Sequence, residues 1–574
     1  MAVPKARTST NANDNNQQSI IIMNNMINNR TKITARLIGL SFIICHLSFS
    51  VALTSCSDWN DHYEPALEYG GDATLWEQMK ANPQLSDFCE VLDKTHIFRM
   101  HRKTEVSYAQ LLNSGQAFTV IAPVNGTFNK DSLLRLVETA QGDSVVEKSF
   151  VFNHLSRMAT SVTPVPRMLH LMNGKYAVIA ATEIQGVPVV TANQRARNGV
   201  VHVTSHALPY APNLYEALCD DPHVSAIGAT LRQYEWDEFD PDASVSSGII
   251  EGVPVYIDSV VYEHNRMLDA VGLIHSEDST YWVVAPSNEG WQKVWDTTSQ
   301  FFVFDQSYQK ADSLQRYWTM RALFDDAVFN MTDQKTVDDS LLSVPYLNWR
   351  KGYVAGKPVY HVFRKPFAPG GILYGAQKQE CSNGILYKTQ EWPFTPEQTF
   401  FKEIWTEGET TWLITEEKSC RYSGINLVAD SISENRFLQI LATSGTANWE
   451  LTYRLDDVLS GAYDICAIIL PQTVINPDAT NLRPCKFKAV VNFVDEDGKD
   501  QTYDCENTQF QSNPERVDTI VLAEAFRFPA TNYGQTTNKI SLTLKCSITA
   551  RETSRFSREM LLDCIYLRPR KIEN

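Results

Sequence analysis

Apolar and polar positions follow one plan twice along this chain. At residues 118–128, FTVIAPVNGTF, and again at residues 281–291, YWVVAPSNEGW, a short apolar run stops at Ala-Pro and passes into a polar turn, with Asn125 and Asn288 at the same place. Proline has no ladder donor and disfavours helix in the residue before it, so each run predicts a strand closed by its proline. The polar residues that follow, just ahead of new apolar positions, predict a helix start.

Flanking segments repeat in the same order. TLWEQMKANPQLSDFCEVL from Thr74 aligns without a gap on NLYEALCDDPHVSAIGATL from Asn213, and in each an Asn-Pro or Asp-Pro step reads as an N-cap followed by proline at the first helical position. Downstream, NGVVHVTSHALP from Asn198 matches NGILYKTQEWP from Asn383. Three signals in one order, twice, predict a duplicated domain.

After Phe400 the pattern changes to short alternating runs separated by Gly, Pro and Asn turns, such as CKFKAVVNFVDEDGKDQTYDCE, KISLTLKCSIT and MLLDCIYLRP. That pattern predicts an all-β sandwich. The acidic run from Asp495 to Asp500 has Asp-Gly at its centre and lacks the ligand spacing of a calcium loop, so it predicts a hairpin turn.

The duplicated signals resemble the fasciclin (FAS1) domain: a helix, a strand reading TVxAPxNxxF, and a late strand reading NGxxHVxxxxLP. The first copy, residues 74–211, carries all three; the second, residues 212–400, has Trp291 for the family's Phe, Tyr387 for its His, and a longer insert between its first two signals. The texture of residues 401–574 resembles carbohydrate-binding-module jelly rolls. The expectation is a multidomain chain, two α+β fasciclin-like domains followed by an all-β jelly-roll-like sandwich. Where animal members of the family carry a Tyr-His pair tied to adhesion, VEKSFVFNHL from Val146 has Asn153 and His154, which are the candidate adhesion residues. A buried histidine with a structural role is the competing reading of that pair. In the second copy MRALFDDAVF from Met320 is expected to put Ala322 there.

The N-terminus adds an address. An Asn-rich run to Asn29 is followed by Arg30, Lys32 and Arg36, an apolar stretch over residues 37–53, and Leu53-Thr54-Ser55-Cys56. The stretch is short for a membrane span and reads as a signal peptide. Its end resembles the bacterial lipobox, which implies lipidation of Cys56 and membrane attachment through acyl chains at about 0.8 kcal/mol per buried methylene. Residues 1–55 are then a disordered extension with a lipoprotein signal, and residues 56–73 an acidic tether. The resemblance implies an outer-membrane protein anchored by lipid and facing the cell exterior.

Composition excludes several classes. With 51 basic and 67 acidic residues the chain carries −16, and the first 55 residues hold five of the basic groups and one of the acidic, so the remainder carries −20. Such a surface repels phosphate backbones, and nucleic acid is not an expected partner. No Cys-x-x-Cys pair is present, so neither a metal nor a cofactor is expected. The chain has no G-x-S-x-G, H-E-x-x-H, phosphate loop or G-x-G-x-x-G, so no catalytic residue is assigned and the expectation is a non-enzymatic protein.

Sugar binding calls for aromatic faces to stack on a pyranose, with polar groups beside them. Trp405, Trp412, Tyr422, Trp449, Tyr453 and Tyr533 supply such faces after Phe400. Tyr533, in the polar loop ATNYGQTTN, is the expected exposed case, with Trp449 and Trp412 beside it as candidates. Core packing explains Trp449 and Tyr453 equally well, since they share one strand face. Two functions compete. One is a surface lipoprotein that binds polysaccharide or oligosaccharide and assists an outer-membrane importer; the other is an adhesin that binds host, matrix or neighbouring-cell protein. Exposed aromatics on the sandwich favour the first, and an apolar patch on the first copy favours the second.

Overall fold

The computed structural model describes residues 71–99, 102–250, 253–331, 339–343, 346–347, 358–359, 361–505, 509–535 and 538–571. The leader, Cys56 and the tether as far as residue 70 lie outside the described residues.

In the first repeat the strand Phe118–Pro123 runs parallel to Gly199–Thr204, with Phe118 opposite Gly199. In the second, Tyr281–Pro286 runs parallel to Gly384–Thr389, with Tyr281 opposite Gly384. Two of the sequence signals in each copy are therefore neighbours in space, and the third is tied to them by one side chain. Asn198 Oδ1 accepts the Leu75 N–H at 2.8 Å while its Nδ2 donates to the Leu112 and Ser114 carbonyls. Asn383 accepts the Leu214 N–H at 2.9 Å and donates to the Ile274 and Ser276 carbonyls. Each asparagine satisfies backbone groups that would otherwise be buried unpaired at a helix end and a loop.

The glycine that follows lets the strands meet. A Cβ on Gly199 would sit 2.0 Å from the Phe118 carbonyl oxygen, and one on Gly384 would sit 1.8 Å from that of Tyr281. Asn125 and Asn288 also have matching tasks. Asn125 accepts the Asp87 N–H at 2.9 Å at the start of helix Ser86–Lys94, and Asn288 accepts the Ala226 N–H at 2.9 Å at the start of Ser225–Arg232. The opening helices, Leu75–Lys80 and Leu214–Asp220, are both closed by capping boxes, Thr74 with Glu77 and Asn213 with Glu216.

Around this shared frame the repeats diverge. The first builds a seven-stranded sheet in the order Leu155–Ser156, Phe118–Pro123, Gly199–Thr204, Val187–Ala196, Glu183–Ile184, Tyr176–Ile179, Arg167–His170. The second has four strands, Val328–Asn330, Tyr281–Pro286, Gly384–Thr389 and Gln377–Cys381. Its longer insert is a hairpin of Glu235–Ile250 with Val253–Asn265, where the first repeat has only His96–Arg99 with Arg102–Ser107. A buried lysine joins the two repeats: Lys175 Nζ lies 2.7 Å from Glu277 Oε1, 3.2 Å from Glu216 Oε2 and 2.9 Å from Ser382 Oγ.

The C-terminal part is a sandwich of two antiparallel sheets. One runs Cys420–Asn426, Arg436–Ala442, Met560–Pro569, Ala462–Leu470, Asp518–Arg527, with Ile404–Glu407 also pairing Met560–Pro569. The other runs Ile414–Lys418, Glu450–Arg454, Ser541–Cys546, Lys486–Val494, Asp500–Asp504, with Phe510–Gln511 on Lys486–Val494. The acidic run forms the turn between Lys486–Val494 and Asp500–Asp504, where the Asp495 N–H bonds the Lys499 carbonyl and Gly498 takes φ +81°.

Alternate side chains of both sheets meet in one core around Trp449, Tyr453, Phe487 and Ile565, and three residues from the second repeat, Phe301, Phe302 and Phe304, are part of it. Backbone bonds fix that intrusion: the Phe301 carbonyl accepts the Ser460 N–H at 2.9 Å and the Val303 carbonyl accepts the Thr531 N–H at 2.8 Å. Large aromatic side chains bury the most apolar area per residue, which is why so short a stretch couples two bodies. Among the described residues no helix is long and apolar enough to cross a membrane.

Candidate functional site

The structure separates the sequence candidates by burial. Trp449 is fully buried in the sandwich core, and its Nε1 donates to the Arg558 carbonyl at 2.8 Å. It cannot stack on a ligand, because its side chain, just ahead of Glu450–Arg454, is part of the core. Tyr533 is also corrected. It is half-buried, wedged against Trp318 at 4.9 Å and Phe302 at 5.7 Å between ring centroids, both edge-on. Its loop is polar in sequence, but the apolar partners arrive from a segment more than 200 residues earlier. Trp412 is 67 % exposed on the short turn Thr411–Leu413 that leads into Ile414–Lys418.

The candidate adhesion pair is interior. His154 is buried, with Nδ1 2.7 Å from the Phe150 carbonyl and Nε2 accepting the Leu208 N–H at 3.0 Å. Burial pushes its pKa down to about 4, so the ring is neutral. Asn153 is buried too, donating to the Leu208 and Pro209 carbonyls and accepting from Asn173. Both side chains serve the packing of the chain around residue 208 and present no face to a partner. Register places Ala327 of the second repeat where His154 stands in the first, one residue before the strand residue opposite Val120 or Val283, so the expected Ala322 is displaced by five positions.

A different aromatic surface lies on the outer face of the first sheet of the sandwich. In Ile404–Glu407 the side chains alternate, Ile404 inward and Trp405 outward, and Trp405 is opposite Tyr566 of Met560–Pro569. The two rings stack at 4.6 Å with 12° between planes, and Trp405 remains 47 % exposed. Glu403 Oε2 accepts the Trp405 Nε1–H at 3.2 Å and so fixes the indole. Burial, helped by a hydrogen bond with Cys466, pushes the Tyr566 phenol up to about 12, so it stays protonated.

Beside this pair the floor is apolar and one flank is charged. Cys466 is opposite Tyr566, and Val521 is opposite Cys466. Arg568 and Arg570 meet on the buried carboxylate of Asp464, at 2.7 and 2.6 Å. Burial alone would raise Asp464, but Arg570, the Ala525 N–H and Arg568 outweigh it and hold the carboxyl below its usual range. The guanidinium groups keep N–H donors in excess of those bonds and are about half exposed.

Further along the same face, Asp563 is buried and accepts the Ser433 N–H at 3.1 Å, and the Ser433 hydroxyl bonds Glu407. Burial, with Glu407 and Glu409 adding repulsion, pushes Asp563 up to about 7. Among the described residues no group of His, Cys, Asp and Glu is arranged to hold a metal ion. The face can hold a flat, partly apolar molecule against Trp405 and offer it guanidinium and carboxylate groups at the rim.

The pairing of Trp405 with Tyr566 joins positions 161 residues apart. The alternation Ile404, Trp405, Thr406, Glu407 was the available signal that Trp405 points away from the core; nothing local marks Tyr566 as its neighbour.

No family model matches the chain, and no curated protein matches it. Among solved structures it is similar to a FAS1 domain pair from the insect cell adhesion molecule fasciclin I, at 11 % identity over 49 % of this chain and 90 % of that one, with a TM-score of 0.17. It is similar to the CBM22-1 xylan-binding domain of Xyn10C from Paenibacillus barcinonensis, at 16 % identity over 30 % of this chain and 95 % of that one, with a TM-score of 0.20. It is similar also to a family 11 carbohydrate-binding module from Clostridium thermocellum, at 13 % identity over 29 % of this chain and 95 % of that one, with a TM-score of 0.19.

Proposed function

We propose that this is a non-enzymatic glycan-binding protein, held at the outer membrane by lipid on Cys56 and assisting a glycan importer, with the outer face of the sandwich around Trp405 as its binding surface. The observation that carries the reading is the Trp405–Tyr566 stack, an indole fixed at its nitrogen by Glu403 and half exposed on a sheet face with charged groups beside it. An aromatic held rigid in this way costs little entropy when a sugar ring stacks on it. Trp412 is a second exposed indole on the same domain.

The test is a glycan array probed with the mature full chain, since Phe301, Phe302 and Phe304 are part of the sandwich core and a fragment from Phe401 would lack them. Specific binding is expected, weakened about tenfold by Trp405→Ala. Trp449→Phe, a core change, should leave affinity unchanged. Failure of the folded chain to bind any glycan, or binding indifferent to Trp405→Ala and Trp412→Ala, overturns the reading.

A second reading, adhesion to protein, has one observation in its favour. Met168 and Val178 are paired across strands on the outside of the first repeat and are 62 % and 44 % exposed. Met168→Glu with Val178→Lys should abolish protein adhesion under this reading and leave glycan binding intact.

A further inference from the structure

The sandwich core contains two thiols placed to react with each other. Cys485 leads into Lys486–Val494, and Cys546 ends Ser541–Cys546, its antiparallel neighbour. Phe487 is opposite Cys546, so Cys485, two residues earlier on the same side of its strand, is the diagonal neighbour of Cys546. Both side chains point into the shared core and are 2 % and 5 % exposed. Each thiol is the first influence on the other's pKa, which is raised for Cys485 and lowered for Cys546.

Their backbones are pinned on either side of the pair. The Cys485 N–H donates to Ser512 Oγ at 2.9 Å and its carbonyl accepts the Ser512 N–H at 3.0 Å, while the Cys546 N–H donates to the Trp449 carbonyl at 2.8 Å.

We propose that Cys485 and Cys546 are a disulfide pair, closed when the chain folds in an oxidising compartment. The oxidant is a small or protein disulfide. One cysteine thiolate attacks a sulfur of that disulfide and releases one thiolate from it; the other cysteine thiolate then attacks the mixed disulfide, forms the Cys485–Cys546 bond and releases the second thiolate. Two cysteine thiols are oxidised by two electrons, the oxidant is reduced to two thiols, and the two protons pass to the departing thiolates. Because both sulfurs are buried in the finished fold, the exchange takes place before the two sheets close.

The bond joins residues 61 apart and encloses the strands Lys486–Val494, Asp500–Asp504, Phe510–Gln511 and Asp518–Arg527. Closing so long a loop restricts the unfolded chain and stabilises the sandwich. The proposal goes beyond the glycan reading and stands without it.

Cys466 and Cys564 make an informative contrast. They too are diagonal on neighbouring strands, but on the outer face, where the sulfur of Cys466 is engaged with the Tyr566 phenol and the Asp464 carbonyl. The test is to refold the full chain in a mixture of glutathione and glutathione disulfide, then map its peptides without reduction. A cross-linked peptide joining Cys485 to Cys546, two hydrogens lighter than its parts, is expected, with a melting temperature that falls when reductant is added. Cys546→Ala should remove both signals, and Cys505→Ala should keep both. Complete alkylation of Cys485 and Cys546 in the denatured chain, or a Cys466–Cys564 link in their place, overturns the proposal; both results come from the unmodified chain and do not depend on whether a variant folds.

Discussion

In the first repeat the chain between Asn125 and Asn198 forms the helices Lys130–Leu136 and Ala140–Val146 and then folds back on itself as an antiparallel wing, Arg167–His170, Tyr176–Ile179 and Val187–Ala196. In the second repeat the chain between Asn288 and Asn383 forms the helices Asn288–Ser299 and Ala311–Ala327 and sends Phe301, Phe302 and Phe304 into the sandwich. The ends of these segments are held alike, by Asn198 with Gly199 and by Asn383 with Gly384. The difference shows where this fold has freedom. At the clamp, backbone meets backbone and one side chain satisfies three buried groups, so substitution is costly; between the clamps, added length costs closure entropy that grows only slowly. Interfaces accumulated in the second kind of position: the first repeat keeps a self-contained core and meets the second at Lys175, while the second is fused into the core of the sandwich.

The strongest way to break this comparison is at the glycines. Gly199→Val should unfold the first repeat alone, because its side chain would occupy the space of the Phe118 carbonyl. Gly384→Val should unfold the second repeat and, by withdrawing Phe301, Phe302 and Phe304, loosen the sandwich as well. Hydrogen exchange resolved by peptide reads both outcomes; equal loss from the two variants would mean that the first repeat is not self-contained. Asn198→Ala and Asn383→Ala should show the same asymmetry with smaller effect, each about 2–4 kcal/mol from buried backbone groups left unpaired. Thermal melts of each variant measure it.

Next in size is the joint between the repeats. Lys175→Met leaves Glu216 and Glu277 facing each other without their cation. The expected cost is about 1–3 kcal/mol, below that of a fully buried pair because Glu216 is partly solvated. Small-angle scattering should show the repeats swinging apart while each keeps its exchange protection; an unchanged envelope would show that the lysine does not hold them.

The frame of the repeats was legible because it is written in backbone-dictating residues. Pro123 and Pro286 end strands and Thr74 and Asn213 cap helices, each through an effect within a few residues, while Asn198-Gly199 and Asn383-Gly384 mark in sequence a close approach whose partners lie far away in the chain. The sandwich was legible from its alternation, as in Lys486–Val494. The site was not. Tyr533 sits in a loop rich in Gly, Asn and Thr, and only the distant Trp318 and Phe302 bury it. Trp405 and Trp449 look alike in sequence; one becomes platform and the other core because Trp405 faces outward from the first sheet while Trp449, just ahead of Glu450–Arg454 in the second, turns into the core, a fact of pairing between strands far apart in the chain.

The smallest expected difference between the repeats is in their response to acid. His154 has its pKa lowered from the ordinary 6.5 to about 4, first by burial and despite the Phe150 carbonyl, while Ala327 holds the same place in the second repeat. His202, also in the first repeat, is lowered by burial as well, with Nδ1 accepting the Asn193 N–H. A histidine that is neutral when folded and titrates near 6.5 when unfolded contributes its stability fully above pH 6.5. As pH falls from there toward 4 the unfolded chain binds the proton first, and stability is lost. Exchange protection of Phe118–Pro123 should therefore decline across that window more steeply than that of Tyr281–Pro286. His275 in the second repeat is lowered by burial too, so that repeat responds, though without a counterpart of His154. In His154→Gln the amide can still donate to Phe150 and accept from Leu208, and the steeper decline should shrink. A decline that His154→Gln leaves untouched would assign the acid response to His202 and leave His154 a packing residue whose charge state does not matter.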